Sequence, residues 1–238
     1  MNILITGASR GIGFEITKIF ADRNVNRIFL LSRNIKKLEE LAQICLKINK
    51  NTAIIPVFFD LNQYDSAFTH LIQKLKEYDT EKIDILINNA GVLINKRFEK
   101  LRAKDVNSMF AVNVQAPIFL IQKLIPFLSA SDSAHVVNIS SMGGFQGSAK
   151  FAGLSVYSAS KAALASLTEC LAEEYKKSKI SFNCLALGAV QTEMLAEAFP
   201  GYQAPLSAAK MAEYIANFAM EGHKYINGKI VPVSLSTP

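Results

Sequence analysis

Short runs of Ile, Leu, Val and Phe alternate along the chain with longer segments whose apolar residues recur every three or four positions. The runs are Asn2 to Thr6, Arg27 to Ser32, Thr52 to Phe59, Ile83 to Asn88, His135 to Ser140, Ile180 to Leu187 and Lys229 to Val233. Each is nearly continuous in apolar residues, as a strand buried on both faces must be. Between them, Ile35 to Asn49 sets Leu38, Leu41, Cys45 and Ile48 on one stripe, the pattern of an amphipathic helix. Arg102 to Ser129 and Ser155 to Lys177 read as longer helices, with Phe119, Leu120, Ile121, Leu164 and Leu167 spreading apolar surface over more than one face. The alternation predicts an α/β fold: a doubly wound, Rossmann-type, mostly parallel sheet of seven strands with helices on both faces. Ligands bind such a sheet beyond the carboxyl ends of its strands. No internal repeat, low-complexity tract or Pro/Gly/Ser linker interrupts the pattern, so residues 1–238 are expected to form one domain.

Composition narrows the class. Of 238 residues, 50% are hydrophobic and 19% charged, enough for one large core. The net charge is +6, yet Lys and Arg are scattered, and the one cluster, Lys176, Lys177 and Lys179, falls where a helix should end and complement its dipole. No nucleic-acid partner is expected; an overall positive field suits a polyanionic cofactor. The most apolar stretch, Ala111 to Leu128, contains Asn113, Gln115, Gln122 and Lys123, so a buried helix is expected and not a membrane span. Met1 runs straight into a strand, leaving no place for a signal peptide, and a cytoplasmic location is expected. Cys45, Cys170 and Cys184 form no CxxC pair and are odd in number, which suggests neither a zinc site nor a disulfide framework.

The first strand leads directly into Thr6-Gly7-Ala8-Ser9-Arg10-Gly11-Ile12-Gly13 and then a helical segment. Glycines permit positive φ and close approach of backbone N–H groups to a pyrophosphate, and the helix N-terminus adds partial positive charge. The spacing Gly-x-x-x-Gly-x-Gly departs from the general dinucleotide fingerprint. It resembles the short-chain dehydrogenase/reductase family, and Asn88-Asn89-Ala90-Gly91, Asn113, Ser141, Tyr157 with Lys161, and Gly188 with Thr192 follow in the family's order. The resemblance runs from Met1 to about Val233 and is closest to 3-oxoacyl-thioester reductases. It implies that Gly7, Ser9, Gly11, Ile12 and Gly13 line the pyrophosphate and ribose, and that Asp60 and Leu61 border the adenine. Asn88, Ala90 and Gly91 would line the ribose side, with Val190 and Thr192 at the nicotinamide carboxamide. Asn88 could equally brace the sheet, and Asp60 could equally cap a helix.

The nucleotide is read from charge. A site for NAD places a carboxylate at the end of the second strand to accept from the ribose 2′-OH. Here that strand ends Leu31-Ser32-Arg33-Asn34, with no acid. Arg33, helped by Arg10 in the glycine loop, suits a 2′-phosphate, so NADP is expected.

Tyr157-Ser158-Ala159-Ser160-Lys161 puts a phenol and an ammonium on one helix face. Carbonyl reduction needs a proton donor, and a phenol of ordinary pKa near 10 is a reluctant one unless neighbouring cations lower that value, the role expected of Lys161 together with the positively charged nicotinamide of the oxidised complex. The resemblance implies Tyr157 as acid/base, Lys161 as its tuner and ribose anchor, Ser141 as the donor to the substrate oxygen, and Asn113 as the support of a water-borne proton relay. Ser140 rivals Ser141 by one position, and Asn113 could be structural.

The chain departs from the family between Ser141 and Tyr157, where it is a few residues longer, and after strand six, where Leu187-Gly188 replaces Pro-Gly. The expected substrate loop, about 190–206, is short and carries Leu195, Phe199 and Tyr202. The expected activity is NADP-dependent reduction of a small carbonyl or acyl substrate by a homodimer or homotetramer. The alternatives are an alcohol or steroid-type dehydrogenase running oxidatively and a non-catalytic nucleotide sensor on the same fold. A hydrolase is disfavoured: there is no Gly-x-Ser-x-Gly elbow, and His70, His135 and His223 read as surface or strand-end residues.

Overall fold

The computed structural model describes residues 1–23 and 25–235. Its elements are β1 (Asn2–Thr6), α1 (Gly11–Asp22), β2 (Arg27–Ser32), α2 (Ile35–Ile48), β3 (Ala53–Phe58), α3 (Tyr64–Glu77), β4 (Ile85–Asn88), α4 (Ala103–Phe110), α5 (Ala116–Ser129), β5 (Ala134–Ser141), α6 (Ser155–Glu174), β6 (Ile180–Leu187), β7 (Val190–Gln191), α7 (Glu193–Ala198), β8 (Leu206–Ser207), α8 (Ala208–Glu221) and β9 (Ile230–Val233). Seven strands form one sheet in the order β3-β2-β1-β4-β5-β6-β9, and every pairing is parallel. The seven apolar runs expected to form strands are these seven, within two residues at each end.

Alternation explains the two layers. Ile3, Ile5, Ile28 and Leu30 point to one face, where Ile16 and Phe20 of α1, Leu38 and Leu41 of α2, and Ile215 of α8 cover them. Leu4, Phe29 and Leu31 point to the other, against Leu71 of α3 and Leu120 and Leu124 of α5. Both faces are dry, which is why the strand sequences are apolar without interruption.

Three elements differ from their expected form. The helix expected from Arg102 to Ser129 is not uniform: a π turn, Ala111–Gln115, separates α4 from α5, with Asn113 inside it. By length and hydropathy Ala103–Ser129 is apolar enough to cross a membrane, but Leu120, Leu124 and Leu128 are wholly buried against the sheet. Helix α6 stops at Glu174, so Lys176, Lys177 and Lys179 lie beyond it and do not complement its last turn; Lys176 pairs with Glu173 instead, and Lys179 with Asp132. His135 is no surface residue: it is fully buried, its Nε2 accepts from the Asn183 amide at 3.0 Å, and its Nδ1 lies 2.9 Å from the Ala219 carbonyl oxygen. Burial lowers it to about 4, so it stays neutral.

The order reverses between β1 and β4, where the carboxyl ends Thr6 and Asn88 open a crevice under the glycine loop. Helix α6 is held close to that crevice by a short 3-10 turn after β5, Met142–Gly144. A Cβ at Gly144 would lie 2.6 Å from the Ala162 backbone nitrogen and 2.7 Å from the Lys161 carbonyl carbon. Both are main-chain atoms that cannot yield without shifting the helix. Gly144→Ala is therefore expected to cost about 1–3 kcal/mol of stability, as overpacking does, and to displace Lys161. Urea unfolding checks this, and a midpoint equal to that of the wild type would refute the close-contact argument.

Candidate active site

The crevice is closed by hydrogen bonds that any chain must supply where two strands diverge. Thr6 Oγ1 accepts from the backbone N–H groups of Asn89 and Ala90, each at 3.0 Å. The Asn89 amide returns the bond, donating to the Thr6 carbonyl at 3.0 Å and the Gly7 carbonyl at 3.3 Å. Gly7 (φ 68°) and Gly11 (φ 57°) adopt left-handed backbone. A Cβ on Gly7 would lie 2.9 Å from the Ala90 Cα, and one on Gly13 would lie 2.6 Å from the Gly7 carbonyl oxygen. Ile12 packs its side chain on the core, so it presents only its backbone to the loop. The N-cap of α1, Arg10, makes no side-chain cap bond, which leaves the first-turn N–H groups without a side-chain acceptor. A positively polarised glycine cradle of this kind fits the pyrophosphate of a dinucleotide.

The other expected nucleotide contacts surround this loop. Ser32 donates its hydroxyl to Ser9 Oγ at 2.9 Å, joining the end of β2 to the loop. Arg33 is exposed, and among the described residues it makes no ion pair. Arg10 is engaged: its Nη1 lies 2.8 Å from Glu197 Oε1 on α7. Asp60 Oδ1 accepts from the Asn62 backbone N–H at 3.0 Å, so it orders a turn after β3, and Leu61 packs on the core. The Asn88 amide donates to Asn138 Oδ1 at 2.8 Å, and the Asn138 amide donates to Thr168 Oγ1 at 2.9 Å, so Asn88 braces β4 against β5 and α6. Val190 is buried, and Thr192 caps α7, accepting from the Leu195 N–H at 3.3 Å. Beside the loop, Ser9, Arg10, Gly11, Thr192 and Glu193 line a cleft of about 600 Å³ together with Lys37. Sequence reasoning missed Thr6, Asn89 and Lys37; a polar residue ending an otherwise apolar strand was the available signal for the first.

Beyond the cradle, three elements bring Tyr157, Lys161, Ser141 and Asn113 together. Ser141 ends β5 beside the Tyr157 phenol, whose pKa it lowers slightly. Ser140 points the opposite way, donating to the Lys161 carbonyl at 2.8 Å, because successive strand residues face opposite sides. The longer segment after Ser141 does not disturb this register, since Gly144 seats against α6 first. Lys161 donates to the Ile139 carbonyl at 2.8 Å, and its Nζ lies 6.0 Å from the centre of the Tyr157 ring. A Cβ on Gly91 would stand 3.4 Å from both Lys161 Nζ and Asn113 Oδ1, so Gly91 lies where these two side chains meet.

The Asn113 side chain is fully used. Its Oδ1 accepts from the Val92 N–H at 2.8 Å, and its amide donates to the Val92 carbonyl at 2.9 Å and to Ser160 Oγ at 3.0 Å. That answers the cost of burying an amide in an apolar helix, and the π turn is the local adjustment that admits it.

Burial governs the electrostatics of this pair. Burial pushes the Tyr157 phenol up to about 12, opposed only weakly by Ser141, and pulls the Lys161 ammonium down to about 8. The Lys161 ammonium is turned to the Ile139 carbonyl, 6.0 Å from the centre of the phenol ring, and burial dominates both groups. Around the phenol, Met109, Leu154, Leu93, Ile94 and Phe199 form a small apolar cluster separate from the main cores. It lies between the loop after β4 and α7, which Asn95 joins by donating to the Ala198 carbonyl at 2.9 Å.

The comparisons agree with this geometry. A family model described as short chain dehydrogenase matches residues 1–203. An oxidoreductase of Staphylococcus saprophyticus is 29% identical over 230 residues, covering 97% of this chain and 95% of its own. The 3-oxoacyl-[acyl-carrier-protein] reductase FabG of Chlamydia trachomatis is 28% identical over 240 residues, covering 97% and 94%. A short chain dehydrogenase from Shigella flexneri, solved in complex with NADP, superposes with a TM-score of 0.87 at 28% identity over 97% of this chain and 95% of that one. With the parallel sheet, the glycine cradle and the gathered Tyr157, Lys161, Ser141 and Asn113, this chain belongs to the short chain dehydrogenase family of NAD(P)-dependent oxidoreductases.

Proposed function

We propose that the protein reduces a carbonyl group on an apolar organic substrate with NADPH as hydride source, residues 1–238 acting as one domain whose segment 190–206 covers the substrate. The observation that carries this reading is the meeting of the Tyr157 phenol with Ser141 against the Lys161 ammonium, beside a glycine cradle. The bound nicotinamide supplies the hydride to the carbonyl carbon. Tyr157 delivers its proton to the oxygen, and Ser141 donates a hydrogen bond to that oxygen as negative charge develops on it. With its pKa raised by burial, the phenol holds its proton at neutral pH, and the proton leaves only as negative charge builds on the substrate oxygen. A water held at Asn113 would connect Lys161 to a relay that reprotonates Tyr157 from solvent, and Lys161 would anchor the ribose.

Gly7, Ser9, Gly11, Ile12, Gly13, Ala90 and Gly91 would hold the dinucleotide through their backbone, with Asp60, Leu61 and Asn88 at its adenosine side and Val190 and Thr192 at the carboxamide. NADPH is favoured by the cations Arg33, Arg10 and Lys37 and by the NADP bound to the Shigella flexneri relative. The apolar cluster about Tyr157 favours a substrate with a hydrocarbon body, and a 3-oxoacyl thioester is the leading candidate, in keeping with the name of the Chlamydia trachomatis relative. We further infer a cytoplasmic homodimer or homotetramer, with α4, α5 and α6 supplying the contacts and Cys45, Cys170 and Cys184 as free thiols.

Tyr157→Phe keeps the ring and removes the proton, so turnover of a 3-oxoacyl thioester should fall about a hundredfold to ten-thousandfold with NADPH affinity nearly intact. A Phe variant that oxidises NADPH at the native rate would sink the mechanism. Arg33→Ala should weaken NADPH about tenfold to a hundredfold and leave NADH unchanged in fluorescence titration; equal losses for both nucleotides would remove Arg33 from phosphate recognition.

Lys161 carries a cost that its role explains. Its folded pKa of about 8 lies below the ordinary 10.5, so the buried cation destabilises the fold below pH 8, and that penalty fades as pH rises toward 10.5. Lys161→Met should therefore abolish turnover yet melt higher than the wild type at pH 7, by roughly 3 kcal/mol at most, with the gap closing between pH 8 and 10.5. Calorimetry across that range tests it; a variant less stable than the wild type at pH 7 contradicts the penalty.

A further inference from the structure

We propose that Glu197 of α7 is a specificity-determining residue that competes with the 2′-phosphate of NADPH for Arg10. The inference rests on the nucleotide reading above and adds to it a residue outside the cradle. Arg10 immediately precedes Gly11 and lines the cleft shared with Lys37, the position from which a guanidinium reaches a phosphate beside the loop. Its Nη1 is nevertheless committed to Glu197 Oε1 at 2.8 Å, across 187 positions of sequence. Both side chains are largely open to water, at 43% and 66% of full exposure, so the pair is weak and readily exchanged. A phosphate dianion attracts the guanidinium more strongly than one carboxylate does, and two anions on one guanidinium repel each other.

Helix α7 does not depend on this pair for its position. Thr192 caps its first turn, its end is tied by the Asn95 amide to the Ala198 carbonyl, and the Ala204 N–H donates to Gln191 Oε1 at 2.8 Å. Glu197 therefore stays beside Arg10 whichever nucleotide is bound. With NADH, whose ribose offers no charge, Arg10 keeps its carboxylate partner. With NADPH it must leave Glu197, and part of the phosphate's attraction is spent on the exchange. Glu197 thus weakens the preference for NADPH that Arg10 and Arg33 create. It also links phosphate recognition to α7, which is followed directly by Phe199 of the apolar cluster at Tyr157.

The test is a double-mutant cycle read by dissociation constants for NADPH and NADH in the wild type, Glu197→Gln, Arg10→Ala and the double variant at low ionic strength. Glu197→Gln removes the charge and keeps the shape. It is expected to bind NADPH about twofold to fivefold more tightly and NADH as before. In the Arg10→Ala background the same substitution should give no gain. A Glu197→Gln protein with unchanged NADPH affinity overturns the proposal. So does a gain shared by NADH, or one that persists without Arg10, since either reports only the loss of a nearby negative charge. If the wild type binds NADH as tightly as NADPH, the nucleotide reading itself fails and takes this inference with it. A wild type that prefers NADPH while the cycle shows no coupling refutes the role of Glu197 alone.

Discussion

Two parallel strands that part company leave their last backbone groups without ladder partners, and the site exists because Thr6 and Asn89 satisfy those groups for each other. The hydroxyl and the amide tie the end of β1 to the loop after β4, across the point where the strand order reverses. Everything nearby is referred to that tie. Gly7 and Gly13 must be glycine because the tie draws the Ala90 backbone and the Asn89 amide to within 2.9 Å and 2.6 Å of where their Cβ atoms would stand. The same closeness leaves α1 with its first N–H groups directed at the crevice, the one place on the sheet suited to a pyrophosphate.

The second constraint is the burial of a proton donor and a cation side by side. Desolvation moves Tyr157 and Lys161 in opposite directions, to about 12 and about 8, so the phenol is held protonated and the ammonium is held at the edge of losing its charge. Polar neighbours without charge flank this pair: Ser141 beside the phenol, and the Ile139 carbonyl accepting from the ammonium. Asn113 belongs to the same support. Its carboxamide fastens the loop at Val92 to α6 at Ser160, and the π turn around it interrupts an otherwise regular helix at the level of Lys161. A local departure from regular helix at a functional centre is the usual place for such a turn.

The segment between β6 and α8 joins the two halves of the site. Residues 190–207 are pinched by the two-residue strands β7 and β8, which pair in parallel, and α7 is carried between them over the glycine loop. Its contacts are polar toward the nucleotide side, through Thr192 and Glu197, and apolar toward Tyr157, through Phe199. One short element thus lies against both the glycine loop and the apolar cluster at Tyr157.

What the amino-acid sequence determined by itself was everything governed by local pattern: seven apolar runs, their parallel sheet, the glycine loop, and the Tyr157–Lys161 pair four residues apart on one helix. These follow from side-chain period and backbone freedom, which a chain carries wherever it folds. The relatives of pairing were decided only in three dimensions. That Ser141 and not Ser140 lies by the phenol depended on how α6 seats across the end of β5, where the Lys161 carbonyl takes the Ser140 hydroxyl. That Arg10 meets Glu197 depended on a helix lying 187 residues further along. That the Tyr157 phenol is raised and the Lys161 ammonium lowered depended on burial, which raises the cost of charge for both groups and is a property of the packed interior, invisible in either residue alone. His135 shows the same limit: a lone histidine at a strand end became a fully buried neutral ring because α8 and β6 close over it.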